Sequence, residues 1–301
     1  MKAKKSGTIG IIGGGLGGLA AACTLAARGY QVVLFEANPW LGGKAAELSE
    51  HGFRFDMGPT ILTLPSVLRR IFEEAGRRMG DYLEMVRLEP QWRSFFEDGT
   101  TLDLVSDAAV MAQNLDRLAP GGKVSAGYRK FQGLAKRLND ISQRFFFYKP
   151  IGGLGDMFNA KNTFNASTLS DVLAMRTGRS VASTIRAHVP DERVAQMLAH
   201  YTQYVGPSPL NSPAVLCGIG HMQSDEGVWY PIGGTRAVPL ALAKLAAELG
   251  VQFRPNTQIR RIIVEDKRVV GVETAGGERI ALAAVVSNMD AVRTHRELIG
   301  G

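Results

Sequence analysis

Histidine and cysteine are scarce in this 301-residue chain, at five and two residues. His51, His188, His200, His221 and His295 stand singly, without the spacing of a metal site or of a nucleophile beside its base. Cys23 and Cys217 have neither ligand spacing nor a CxxC pattern and read as small core residues of a chain kept reduced. Metal chemistry and triad hydrolysis are therefore not expected. No hydrophobic run reaches the roughly 18 uninterrupted apolar residues of a membrane-spanning helix, which limits any membrane attachment to the surface. Long charged runs are missing too: the formal net charge of +7 comes without a Lys/Arg cluster or a nucleic-acid motif. That argues against a nucleic-acid partner and leaves an anionic membrane surface open.

Glycine is abundant, at 35 residues, and it clusters. The stretch "GIIGGGLGGLAAACTLAARGYQVVLFEA", Gly10 to Ala37, reads as a buried strand at Thr8–Ile12, an Ala/Leu helix at Leu16–Arg28 and a second buried strand at Gln31–Glu36. Lys2, Lys4 and Lys5 before this apolar segment imitate a signal peptide, but a signal core does not need glycines at fixed spacing or run directly into another strand. In a strand–turn–helix context the spacing is that of a dinucleotide turn. Gly13 permits the tight bend, Gly15 lets backbone approach a pyrophosphate, and Gly18 lets the helix pack close to the strand. Glu36 ends the second strand where an acid accepts from ribose hydroxyls and disfavours a 2′-phosphate, so NADP is the least expected dinucleotide. The turn by itself leaves nicotinamide and flavin open. Beyond Glu36, "LGGKA" offers Gly42 and Gly43 to the same pyrophosphate and Lys44 to neutralise it, or is a plain loop with a surface lysine.

Further along, residues 85–104 alternate about an Asp98-Gly99 turn, residues 107–222 are mostly of helical period, and short strands follow near 251–256, 258–266, 268–275 and 283–288. The expected fold class is α/β: a Rossmann-like dinucleotide domain of two separated segments, 1–84 and 223–301, with a mostly helical α+β substrate domain, 85–222, inserted between them.

The segments "GGGLGGL…LFEANPWLGGKA", "GFRFDMGPT", "HYTQYVGPSPLNSPA", "GVWYPIGGTRAVPLALAKLAAELGVQF" and "VVSNMD" together resemble the flavin-dependent carotenoid (phytoene) desaturase family, a relation of the flavin amine oxidases. The resemblance runs along nearly the whole chain, in order, and implies tightly held FAD rather than exchanging NAD. Carried over, Gly13, Gly15, Leu16, Gly17 and Gly18 would face the pyrophosphate, Glu36 and Ala37 the adenosine ribose, and Gly43 and Lys44 the phosphate and ribitol. Asp56, Gly58, Pro59 and Thr60 would pack near the isoalloxazine; by residue chemistry alone Asp56 equally suits capping a turn. The implied reaction is dehydrogenation of a carotenoid precursor such as phytoene, with hydride passing to flavin and electrons on to oxygen or a quinone. Asp140, Arg144 and Tyr148 are candidates for taking the proton, though they equally suit a helix surface and loop. Other substrates, such as an amine, an alcohol or a porphyrinogen, and a non-catalytic FAD-binding module stay open as alternatives.

Two further expectations follow. Family members carry a C-terminal glycine-rich segment that closes over the flavin, and "AVRTHRELIGG" does not resemble it, so the chain is expected to be a fragment or a shortened homologue. The run Phe145, Phe146, Phe147 and Tyr148, flanked by Lys136, Arg137, Arg144 and Lys149, suits either a core or a membrane-inserting mouth for a long apolar substrate. The expected location is cytoplasmic, peripheral on the membrane.

Overall fold

The computed structural model describes residues 7–143, 175–176 and 178–299. These divide into two compact units, residues 1–86 with 229–301, and residues 87–228. Arg144, the aromatic run and Lys149 lie outside the described residues.

The chain opens with β1 (Thr8–Ile12), α1 (Leu16–Ala27) and β2 (Gln31–Phe35). A hairpin of β3 (Glu47–Glu50) and β4 (Phe53–Asp56) follows, then α2 (Pro65–Glu74) and β5 (Met85–Arg87). The inserted unit contains the hairpin of β6 (Trp92–Phe95) and β7 (Thr101–Leu104), and then helices α3 (Ala108–Leu118), α4 (Lys123–Ser142), α5 (Val181–Arg186), α6 (Glu192–Ala199) and α7 (Gly218–Glu226). The chain returns through β8 (Trp229–Pro231), α8 (Ala237–Glu248), β9 (Gln252–Arg254), β10 (Ile259–Glu265), β11 (Arg268–Thr274), β12 (Arg279–Ala281) and β13 (Ala284–Ser287).

The first unit is built on a four-stranded parallel sheet in the order β13-β1-β2-β9. Its two inner strands read "TIGII" and "QVVLF" because both faces are covered. Ile11, Val32 and Leu34 face a core shared with Leu19 and Cys23 of α1, Phe72 of α2 and Leu245 of α8. Ile12, Val33 and Phe35 face the opposite way, onto Ile259 and Ile262 of β10, Val272 of β11 and Leu282. The strand pleat thus sends alternate residues to two separate cores. Burying such a side chain is worth about 1.5–3 kcal/mol, so these strands anchor the turn that leaves β1.

The second unit packs its helices around Phe131, Leu138, Ile185, Leu198 and Tyr201, all fully buried. Three of its helix starts are set by local side chains. Asp107 accepts from Ala109 and Val110 N–H, Ser180 and Ser183 form a capping box, and Asp191 accepts from Arg193 and Val194 N–H.

Candidate dinucleotide site

The strand order places a switch point at β1. From the C-terminal end of β1 the chain passes through α1 to β2 on one side, while β13 lies parallel on the other, with Ile12 opposite Ser287. The crevice where such loops part is where ligands of open parallel sheets bind. Two turns border it: Gly13–Gly15 after β1 and Asn288 after β13.

α1 starts without help. Its N-cap is Gly15, no side chain caps it, and its first turn holds no acidic residue. The starts of α2, α4, α7 and α8 likewise lack a side-chain cap; at α1 the uncapped first turn coincides with the glycine turn at the end of β1. Gly13 adopts φ +94°, open to glycine at little cost. A Cβ on Gly18 would lie 2.0 Å from the Gly13 carbonyl oxygen, so α1 reaches its position only with glycine there.

The structure brings the second glycine pair onto this turn. Gly42 N–H donates to the Gly14 carbonyl at 2.9 Å, Gly15 and Gly42 form a parallel bridge, and a Cβ on Gly43 would come within 3.1 Å of Gly15 Cα. Lys44 is exposed beside them. A Cβ on Gly15 would reach 3.0 Å from Asn288 Nδ2 and 4.0 Å from Gly43 Cα, which makes the space over Gly15 a cradle that any side chain would fill. Bare helix N–H groups, close backbone and a neighbouring cation are the donor set of a pyrophosphate, and the residues present fit that group. Leu16 and Gly17 are exposed on the first turn of α1.

Glu36 is turned inward. Its Oε2 accepts from Gly14 N–H at 2.7 Å, and its Oε1 accepts from the Asn38 backbone N–H at 2.9 Å and from Asn38 Nδ2 at 2.8 Å. The side chain ties the glycine turn to the end of β2 and is only 7% exposed. A carboxylate has about four acceptor positions, so one remains for a ribose hydroxyl. Ala37 is exposed next to it.

The "FDMGPT" residues form a neighbouring cluster. Asp56, on the strand face opposite Phe55, accepts through Oδ1 from Thr235 N–H at 3.1 Å and abuts Gly234, so it holds the turn that leads into α8. A Cβ on Gly58 would meet the Lys44 carbonyl oxygen at 2.0 Å, which joins this cluster to the Gly42–Lys44 segment. Pro59 and Thr60 follow as exposed residues. Thr235 itself is buried, and its hydroxyl has no partner.

Cysteine plays no part at the turn. Cys23 on α1 is fully buried, its thiol donates to the Leu242 carbonyl at 3.3 Å, and burial pushes it up to about 12. In the second unit His200 is buried, stacked on Trp92 with 4.2 Å between ring centroids. Its ring nitrogens lie 2.6 Å from the Met197 carbonyl and 3.0 Å from Gln223 Oε1, so both are engaged within the protein. A cavity of about 520 Å³ beside it is lined in part by Trp92, Phe95, Phe96 and Met197. Asp140 is exposed on α4 and pairs with Lys136 at 3.6 Å. Among the described residues no group of three or more His, Cys, Asp or Glu could hold a metal, and no helix is long and apolar enough to cross a membrane.

Asn288 and Asn38 were not singled out from the sequence. Each follows a strand end, one after "VVS" and one after "FEA", which is the only local signal they carry.

Comparison with known proteins matches nearly the whole chain. The chain is 35% identical over 289 residues to a 4,4'-diapolycopene oxygenase from a Methylomonas species. It is 34% identical over 289 residues to a 4,4'-diaponeurosporene oxygenase from Staphylococcus aureus. Each match covers 96% of this chain and 57% of the relative, so the chain spans little more than half the length of these curated relatives. An oxidoreductase from Methanosarcina mazei shares the fold at a TM-score of 0.62 and 19% identity, over 97% of this chain and 61% of that one. Residues 16–292 match the flavin containing amine oxidoreductases, from the first residue of α1 to just beyond β13. With nearly its whole length matched, the chain belongs to the flavin-containing amine oxidoreductase family.

Proposed function

We propose that this chain carries the FAD-binding part of an enzyme that oxidises a long apolar polyene of the carotenoid type. The observation that carries the reading is the 35% and 34% identity, along 96% of the chain, to two enzymes named for carotenoid-type substrates. The glycine cradle supports it independently. Gly13, Gly15, Gly17, Gly18 and Gly43 would hold the pyrophosphate with the start of α1, Glu36 would accept from the adenosine ribose, and Lys44 would neutralise phosphate. Asp56 would act through the Gly234–Thr235 turn, near which the ring system would lie.

A bound flavin supplies a two-electron acceptor for hydrogen removed from carbon as hydride. The chain's own residues bind and orient. The backbone of Gly15 and Gly43 would fix the phosphates, and Glu36, which ties the turn to the end of β2, would also fix the ribose. Loss of one hydride and one proton from neighbouring carbons leaves one new double bond, and the two electrons pass on to an acceptor of the quinone or oxygen class. That balance is dehydrogenation of a phytoene-like precursor, the second reading, supported by the resemblance of the motifs; the oxygenation that the relatives' names favour needs in addition an oxygen atom supplied by dioxygen or water. A substrate of this kind resides in lipid, so the enzyme would work at an anionic membrane surface, consistent with the +7 charge.

The test is expression of the gene in a host that makes a linear polyene, with the pigments separated and weighed by mass spectrometry. Gain of oxygen supports the first reading and loss of hydrogen pairs the second. An unaltered polyene in the presence of flavin-loaded protein would overturn both.

A further inference from the structure

We propose that the Asn288 carboxamide is a pyrophosphate ligand of this site and sets its charge requirement, an inference that rests on the FAD reading above. Asn288 follows directly on β13, and its N–H donates to the Ile12 carbonyl at 2.8 Å, which fixes it against the end of β1. The switch point therefore has two walls, the glycine turn and this residue. Its side chain lies over the turn: Nδ2 is 3.0 Å from the position of a Cβ on Gly15 and 3.3 Å from one on Gly18, and Oδ1 is 2.5 Å from one on Gly17. The carboxamide thus borders the cradle over Gly15, as Gly43 does.

Orientation follows from the nearest acceptor. Nδ2 lies 3.5 Å from the Gly13 carbonyl oxygen. An oxygen in that place would be repelled by the carbonyl, so the NH2 end is the one turned to the cradle. A carboxamide nitrogen carries two hydrogens. With one directed at Gly13, the other is available to a phosphate oxygen held over Gly15. The long distance to Gly13 and the exposure of Asn288 leave the group free to tighten onto an anion. Aspartate has the same shape but would set oxygen against the Gly13 carbonyl and a negative charge against two phosphates.

The experiment compares wild type with Asn288→Asp and Asn288→Ala in the 301-residue chain, titrated with FAD, ADP and adenosine at low and high salt, alongside the melting temperature without ligand. Asn288→Asp should weaken FAD and ADP about tenfold or more at low salt, and the loss should shrink at high salt because the repulsion is screened. Adenosine, which has no phosphate, should bind both alike. Asn288→Ala should weaken FAD and ADP less, with little dependence on salt. The melting temperatures without ligand separate a loss of binding from a loss of folding in either variant. Equal binding of FAD and ADP by Asn288→Asp and wild type would overturn the inference, as would losses in both variants that track their melting temperatures. Failure of the wild type to bind FAD or ADP would overturn the FAD reading itself.

Discussion

Two adjacent glycines on α1 differ in what a methyl group would meet, and the comparison of Gly17→Ala with Gly18→Ala measures how closely the helix must approach the turn. Both sites are helical, so each substitution gains about 1 kcal/mol from the helix preference of alanine over glycine. On Gly17 the new Cβ meets only Asn288 Oδ1, at 2.5 Å, the far end of an exposed side chain that can swing away. On Gly18 it meets the Gly13 backbone carbonyl at 2.0 Å, and backbone at the end of a central strand cannot yield without carrying β1 with it. Overpacking of this kind costs about 1–3 kcal/mol and more when backbone is struck. Gly17→Ala should therefore be neutral to stabilising by about 1 kcal/mol, and Gly18→Ala destabilising by about 2 kcal/mol after its propensity gain. A difference of about 3 kcal/mol corresponds to roughly 6–12 °C in the melting temperature of a unit this size. Thermal unfolding followed by circular dichroism, without added ligand, reads it directly. If Gly18→Ala melted at or above Gly17→Ala, the argument that Gly18 exists for close helix–strand packing would fail.

Glu36→Ala strips the acceptor from Gly14 N–H and from both Asn38 donors, and should cost about 1–3 kcal/mol in the ligand-free protein; an unchanged melting temperature would mean that water replaces the carboxylate. Burial pushes both thiols, Cys23 and Cys217, up to about 12, so neither should react with a disulfide reagent in the native protein near pH 8, and both should react once it is unfolded. The hydrogen bond from Arg193 holds the Asp191 carboxyl below the usual carboxylate range. Its contribution is therefore present above the unfolded value of about 3.9 and is lost as pH falls through the lower folded value. Asp191→Ala, which also uncaps α6, should lose about 1 kcal/mol near neutral pH, and the deficit relative to wild type should shrink in acid urea titrations.

The first βαβ unit is legible in the sequence because its information is local. The runs at Thr8–Ile12 and Gln31–Phe35 could only be strands covered on both faces, and the glycines fall between strand and helix where a dinucleotide turn requires them. Glu36 was legible as an acid at the strand end, but its inward turn onto Gly14 was not, because a carboxylate written after "VVLF" serves a ligand or its own backbone equally well. Asp56 shows the same limit. Its partner, Thr235 N–H, lies 179 residues away, and no pattern near "FDMGPT" announces "IGGT". Asn288 reaches the turn across 275 residues through the pairing of β13 with β1, a register that only the assembled sheet defines. The helical insert was readable by period, whereas the stacking of His200 on Trp92 joins a strand and a helix end that the sequence shows only as isolated residues.

The central claim, that the glycine turn holds FAD by its pyrophosphate, is tested most directly by titrating FAD into the ligand-free chain and into Gly15→Val while following quenching of flavin fluorescence. Gly15 has φ −69°, which valine tolerates, and its side chain would project into the space between Asn288 and Gly43. The account predicts saturable, ADP-competed binding to wild type, and its loss in Gly15→Val with the melting temperature of the ligand-free protein preserved. Equal affinity in the two proteins would contradict it.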